Sequence, residues 1–240
     1  MSTKPDHAFI LAAGKGTRLR PYTDTRPKPM VEVAGRPMID HAIDRLAEAG
    51  VADITINLHY MADMLHRHLK GRAAPRLHFS FEEELLETGG GIRAALGTLG
   101  GAPFYVVSGD SLWTDGPNGS ALERIAQAWD GDKMDLLLLL QPVAGMTLTP
   151  GRGDYDLDAD GRAVRALDRT GAYMWTSIRV CAPRLFDGAP DGPFSFLDLM
   201  DRAQAQGRLY GLVHDAEWHH ITTGADLERV NAALAARKRA

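Results

Sequence analysis

Near the start of the chain an apolar run, Phe9-Ile10-Leu11-Ala12-Ala13, empties into Gly14-Lys15-Gly16-Thr17-Arg18, and Pro27-Lys28-Pro29 follows within reach. Residues 7–13 are apolar at nearly every position, which predicts a strand buried on both faces in the middle of a parallel sheet. Such a strand delivers its loop rigidly to the edge where open α/β sheets bind ligands. Glycines at 14 and 16 remove side chains, so that backbone N–H groups can approach phosphate oxygens. Arg18 and Lys28 can supply positive charge to a polyphosphate. The stretch therefore predicts a nucleotide site; the competing reading is a plain glycine-rich turn. Its spacing is not that of a P-loop, and Leu19 stands where a dinucleotide fingerprint needs its third glycine.

The rest of the chain alternates strand and helix patterns. Met38, Ile39, Ala42, Ile43 and Leu46 recur at helical spacing after Pro37, and Gly50 marks a stop. Residues 54–58 read as a second strand, 61–69 as a helix, and 77–81 as a third strand with alternating polarity. Short connections between such units imply a parallel, doubly wound sheet with right-handed crossovers. The loops after Ala13, Phe81 and Val107 should then open on one crevice. Strands over 104–107 and 136–140 flank a helix over 121–129. From Gly145 the pattern changes to a β-hairpin around Asp158-Ala159-Asp160-Gly161 and a strand over 173–180. A helix over 196–203, a strand over 209–213 and a final helix follow.

Three further features carry chemistry. Gly89-Gly90-Gly91 opens a helix at a cost in propensity, which predicts a backbone that passes close to something, here a base or ribose. Asp110 ends a central strand beside Gly109, where one carboxylate can hold Mg²⁺ against a triphosphate; the alternative is a turn cap. In the hairpin region, Asp154 can accept hydrogen bonds from sugar hydroxyls and Trp175 can stack on a sugar face. Their other readings are a hairpin-edge carboxylate and a core aromatic.

The segment from Leu11 to Pro21 with Pro27-Lys28-Pro29, then Glu87-Thr88-Gly89-Gly90-Gly91, Gly109-Asp110 and Trp218, resembles the sugar-1-phosphate nucleotidyltransferases along nearly the whole chain. The resemblance implies one Rossmann-like domain with a small β-rich sugar-binding lid. Residues 1–144 would be mainly the nucleotide-binding half, and 145–240 mainly the lid and C-terminal helix. It implies nucleotide contacts from Leu11, Ala12, Ala13, Gly14, Gly16, Thr17, Arg18, Lys28, Glu82, Thr88 and Gly89, with Glu82 at the base edge. Arg18, Lys28 and Asp110 would be catalytic, and Ser108, Asp154 and Trp175 would face the sugar. The implied substrates are a nucleoside triphosphate and a sugar 1-phosphate, with UTP and N-acetylmuramic acid 1-phosphate as the finer expectation. Guanylyl or cytidylyl transfer is the alternative, and a nucleotide sensor without turnover is the rival of another class.

Three departures from the family pattern stand out. Ser108 replaces an expected Asn, the Glu-Lys-Pro motif is missing with Arg169 as a substitute, and His220 stands where a second metal carboxylate is expected. His220 has three readings: a metal ligand with Asp110, favouring Mn²⁺ beside Mg²⁺; a phosphate-binding cation; or a structural residue. A glycosyltransferase would need a second acidic residue in Asp110-Ser111-Leu112. The net charge of −4 gives no electrostatic footprint for nucleic acid. No apolar run reaches membrane-spanning length, and the single Cys181 supports no disulfide framework, which together predict a cytoplasmic protein.

Overall fold

The computed structural model describes residues 4–237. Strand β1 (His7–Leu11) is central, followed by α1 (Met38–Glu48), β2 (Asp53–Leu58), α2 (Ala62–Leu69) and β3 (Arg76–Phe81). Then come α3 (Glu87–Ala94), β4 (Phe104–Ser108), α4 (Ala121–Ala128) and β5 (Leu136–Pro142). The hairpin β6 (Tyr155–Leu157) and β7 (Ala163–Arg165) precedes β8 (Tyr173–Cys181), α5 (Phe196–Ala205), β9 (Leu209–Val213) and α6 (Gly224–Arg237).

Strands β3, β2, β1 and β4 pair in that order and all run parallel. Antiparallel β8 joins β4 to β5, and β9 lies parallel to β5. Leu11 is in register with Ser108, so the loops leaving β1 and β4 emerge side by side. That register is what brings Gly14 and Asp110 to one crevice.

Helices cover both faces, as the alternation of patterns predicts. The five apolar positions of α1 are all buried, together with Leu65 and Leu69 of α2 and Leu122 and Ile125 of α4. On the other face Ile92 of α3 and Phe196, Leu199 and Met200 of α5 pack on Phe9, Phe104 and Val106. The run Leu136–Leu140 is buried throughout, as a strand between two layers must be. Each such side chain contributes roughly 1.5–3 kcal/mol over its exposed state.

Two boundaries differ from the sequence expectation. Strand β1 stops at Leu11 rather than Ala13, because the Ala12 N–H leaves the ladder to donate to Asn57 Oδ1 at 2.7 Å. Helix α3 starts at Glu87 and contains all three glycines instead of following them. The hairpin is tied to the main sheet by the pairing of Tyr155 with Tyr173. Strand β8 changes register between Trp175 and Arg179, and Ser177 there has φ 64°.

Candidate active site

A cavity of about 540 Å³ opens at the carboxyl ends of β1 and β4. Leu11, Ala12, Ala13, Gly14, Gly16, Thr17 and Arg18 form one wall, and Lys28, Ser108 and Asp110 form another. Thr88 closes it from α3. Eleven of the sixteen residues expected to touch nucleotide, sugar or metal thus meet in one space; Glu82, Gly89, Asp154, Trp175 and His220 do not line it.

The loop geometry follows from its glycines. Gly16 has φ 60°, and a Cβ on it would lie 2.9 Å from Lys28 Cβ. Only glycine therefore lets the loop close onto the segment that carries Lys28. Thr23 Oγ1 donates to Gly16 O at 2.9 Å and fixes the return of the chain. Gly14 is different: nothing lies within 4 Å of where its Cβ would be, so its open side faces the cavity rather than protein.

Lys28 Nζ is ion-paired with Asp110 Oδ2, and both are only partly exposed. Burial opposes ionisation of Asp110, but Lys28, with help from His220 and Ser108, outweighs it and holds the carboxyl below its ordinary value. His220 lies near enough to feel this carboxylate. Burial lowers its pKa, Asp110 raises it, and Lys28 and Arg18 lower it further. The imidazole stacks on Trp218 at 5.3 Å, and the His220 backbone N–H donates to Thr149 Oγ1 at 2.9 Å.

Among the described residues, no three His, Cys, Asp or Glu side chains converge to hold a metal unaided. A site of Asp110 with His220 still fits Mg²⁺, which retains water and takes only one or two protein carboxylates beside substrate phosphates. The imidazole adds a donor suited to Mn²⁺.

The structure places several expected residues elsewhere. Glu82 is buried behind the wall, where Oε1 accepts from Asn57 Nδ2 at 2.7 Å and Oε2 from the Leu86 N–H at 3.0 Å. It is a support for Asn57, not a reader of the base edge. Gly89 faces the ring of Phe194, with a Cβ placed 2.3 Å from it, so it serves packing rather than nucleotide contact. A Cβ on Gly90 would likewise lie 2.2 Å from Gly192 O, and one on Gly91 2.6 Å from Glu82 Oε1. Asp154 pairs with Arg169 at 3.4 Å and accepts from the Trp175 N–H at 3.4 Å. Arg169 is therefore committed to the hairpin, and neither Asp154 nor Trp175 lines the cavity.

Asn57 is the residue that sequence reasoning passed over. It is 2% exposed, lines the cavity, and links the Ala12 N–H to Glu82. Its signal was a lone amide near the carboxyl end of a buried strand. Ser195 and Thr222 also reach the cavity.

A glycine loop, a lysine–aspartate pair and a cavity at the carboxyl ends of parallel strands define an α/β enzyme that handles phosphates. Residues 7–144 match the nucleotidyl transferase family model. The chain is 42% identical over 228 residues to an N-acetylmuramate alpha-1-phosphate uridylyltransferase of Caulobacter vibrioides, covering 92% of this chain and 93% of that protein. It is 32% identical to the protein of that name from Neisseria meningitidis serogroup B, covering 96% and 99%. The solved inositol-1-phosphate CTP transferase from T. maritima superposes with a TM-score of 0.77 at 16% identity, covering 96% of each chain, which supports the fold. The chain belongs to the nucleotidyl transferase family, and within it to the sugar-1-phosphate nucleotidyltransferases. No described helix is long and apolar enough to cross a membrane.

Proposed function

We propose that this protein transfers the uridylyl group of UTP to N-acetylmuramic acid 1-phosphate, releasing pyrophosphate, in cytoplasmic recycling of cell-wall sugars. The observation that carries this reading is the similarity to two uridylyltransferases of that name along nearly the full chain. The shared sheet supports one domain, with residues 1–144 mainly binding nucleotide and 145–240 mainly binding the acceptor.

The reaction joins two anions, so charge repulsion and alignment are the main obstacles. Catalysis then rests on positioning and electrostatic stabilisation. The Gly14–Gly16 loop would lie along the phosphates, and exposed Arg18 would neutralise the β and γ groups as they leave. Lys28 would move from Asp110 to bridge the α-phosphate and the incoming sugar phosphate. Asp110, with His220 beside it, would hold a divalent cation, magnesium or manganese, which would neutralise charge on the α-phosphate. The sugar phosphate is already ionised at neutral pH, so no residue need act as general base. Ser108 would touch the sugar directly, Asp154 would shape that side from behind, and Trp175 would serve the acceptor from the same side.

Pyrophosphate release from purified protein tests this, with UTP and N-acetylmuramic acid 1-phosphate in Mg²⁺ and in Mn²⁺. Selective turnover of that pair is expected. Turnover only with GTP or CTP, or only with glucose or mannose 1-phosphate, would keep the family and discard the substrates. Triphosphate binding without turnover of any pair would point to a sensor.

A further inference from the structure

Arg179 of β8 is completely buried, yet its Nε and Nη2 have no hydrogen-bond partner among the described residues. Its Nη1 reaches only Ser177 O, at 3.5 Å. The guanidinium carbon lies 3.9 Å from the Phe196 ring centroid and 5.0 Å from that of Trp175. Trp175 Nε1 is a third buried donor without a partner. The ionisable neighbours are Cys181 and Tyr155, and neither supplies an anion. Burial pushes the thiol up to about 12 and the phenol higher still. Burial also draws the arginine down to about 10, which leaves it charged at neutral pH.

A buried charge is normally paired, because desolvation is otherwise uncompensated. Here a buried cation has only the neutral Cys181 thiol and Tyr155 phenol beside it and no anionic partner, and the neighbouring Trp175 indole N–H has no acceptor. The position of the cluster says where an acceptor would come from. Arg179 is in register with Val106, two residues before Ser108 on β4, and Ser108 lines the cavity. The Phe196 ring beneath the guanidinium follows Ser195, and the Phe196 N–H donates to Thr88 Oγ1 at 2.9 Å. Ser195 and Thr88 are also cavity walls. The cation therefore sits one layer behind the Ser108–Ser195 side of the cavity. Ser177, whose carbonyl Nη1 reaches, lies where the register of β8 breaks and holds φ 64°. A serine in that left-handed region is strained and outside a regular ladder, so this segment is where the backbone beside Arg179 yields most readily.

We propose that Arg179, with the Trp175 indole N–H, recognises a carboxylate carried by the acceptor sugar phosphate. Nε and Nη2 form one edge of the guanidinium fork, and that edge matches a carboxylate in a two-point bond. The inference rests on the acceptor proposed above: N-acetylmuramic acid 1-phosphate differs from N-acetylglucosamine 1-phosphate by an ether-linked lactyl group that ends in a carboxylate. It explains how the site separates the two sugars.

Calorimetric binding of each acceptor to the full chain tests this, beside pyrophosphate release with each. The wild type is expected to bind the carboxylate-bearing sugar about 10- to 100-fold more tightly, the scale of a charge-assisted hydrogen-bond pair. Arg179→Met should bring that ratio close to one. Equal wild-type affinities, or a ratio unchanged in a folded Arg179→Met protein, would overturn the proposal. Turnover of both sugars with equal affinities would keep the function and remove the role of Arg179. A wild-type binding preference without turnover would do the reverse, and no binding of either sugar would overturn both. If Arg179→Met fails to fold, a crystal structure of the wild type with the acceptor decides. A carboxylate against Nε and Nη2 supports the proposal, and one bound elsewhere ends it.

Discussion

Lys28 and Asp110, 82 positions apart in the chain, are ion-paired at the point where the loops after β1 and β4 meet. The residue expected to carry phosphate and the residue expected to carry metal thus satisfy each other before substrate arrives. A triphosphate would exchange both partners at once, replacing one internal pair by lysine–phosphate and carboxylate–cation contacts. Lys28→Met is then expected to lower kcat by about 10²- to 10³-fold, the scale of losing one charge-stabilising donor. The KM for triphosphate should change by no more than about threefold, because the bridge to the acceptor forms only during transfer. Steady-state pyrophosphate release measures both, and equal effects on kcat and KM would remove the bridging role.

Gly14 and Gly90 separate function from packing. A Cβ at Gly14 meets nothing within 4 Å, whereas one at Gly90 would lie 2.2 Å from Gly192 O. Gly14→Ala should leave unfolding stability within about 0.5 kcal/mol and raise the triphosphate KM about tenfold by holding phosphate off the loop. Gly90→Ala should cost about 1–3 kcal/mol or more, because backbone must move. Urea unfolding and steady-state kinetics on both variants check this. A strongly destabilised Gly14→Ala would show that its open side is not free.

Asn57 couples the phosphate loop to the layer behind it. Its Oδ1 accepts from the Ala12 N–H and its Nδ2 donates to Glu82, both at 2.7 Å in the buried interior. Asn57→Leu leaves a backbone donor and a carboxylate oxygen without that partner, at a cost of about 2–4 kcal/mol for two unmet groups. The triphosphate KM should rise as well, since Ala12 lines the cavity. Denaturant unfolding gives the first quantity, and unchanged stability would mean that both orphaned groups find new partners.

How much of this was legible follows from the range of each signal. The loop from Leu11 to Arg18 could be read because strand, glycine and cation are consecutive, and Lys28 and Asp110 because their local contexts are distinctive. The network around Asn57 could not, because Asn57 and Glu82 become neighbours only when β2 and β3 pair. The three glycines illustrate the same limit. Their sequence showed that something passes close, but not that Phe194, Gly192 and Glu82 are what passes. The sequence placed Arg179 within a strand over 173–180 and nothing more, and only the packing of Phe196 and Trp175 shows it as a charge without an anionic partner.

Asp53 supplies an acid-dependent term in stability far from the cavity. At the start of β2 it accepts from Arg76 Nε and Nη2 and from His78 Nε2, each at 2.8 Å, and so ties β2 to β3. The hydrogen bonds from Arg76 and His78 outweigh burial and hold the carboxyl down at about 2, against an ordinary 3.8. The folded form therefore takes up a proton less readily than the unfolded chain. The stabilisation is complete above about pH 4 and is lost as pH falls towards about 2. Because Arg76 is 74% exposed, solvent screening reduces the contribution to about 1 kcal/mol. Asp53→Asn should be less stable than the wild type by that amount at about pH 6 and nearly equal to it at about pH 2. Thermal or urea unfolding across that range reads the difference, and a gap that stays constant with pH would show that the Asp53 charge does not stabilise this edge of the sheet.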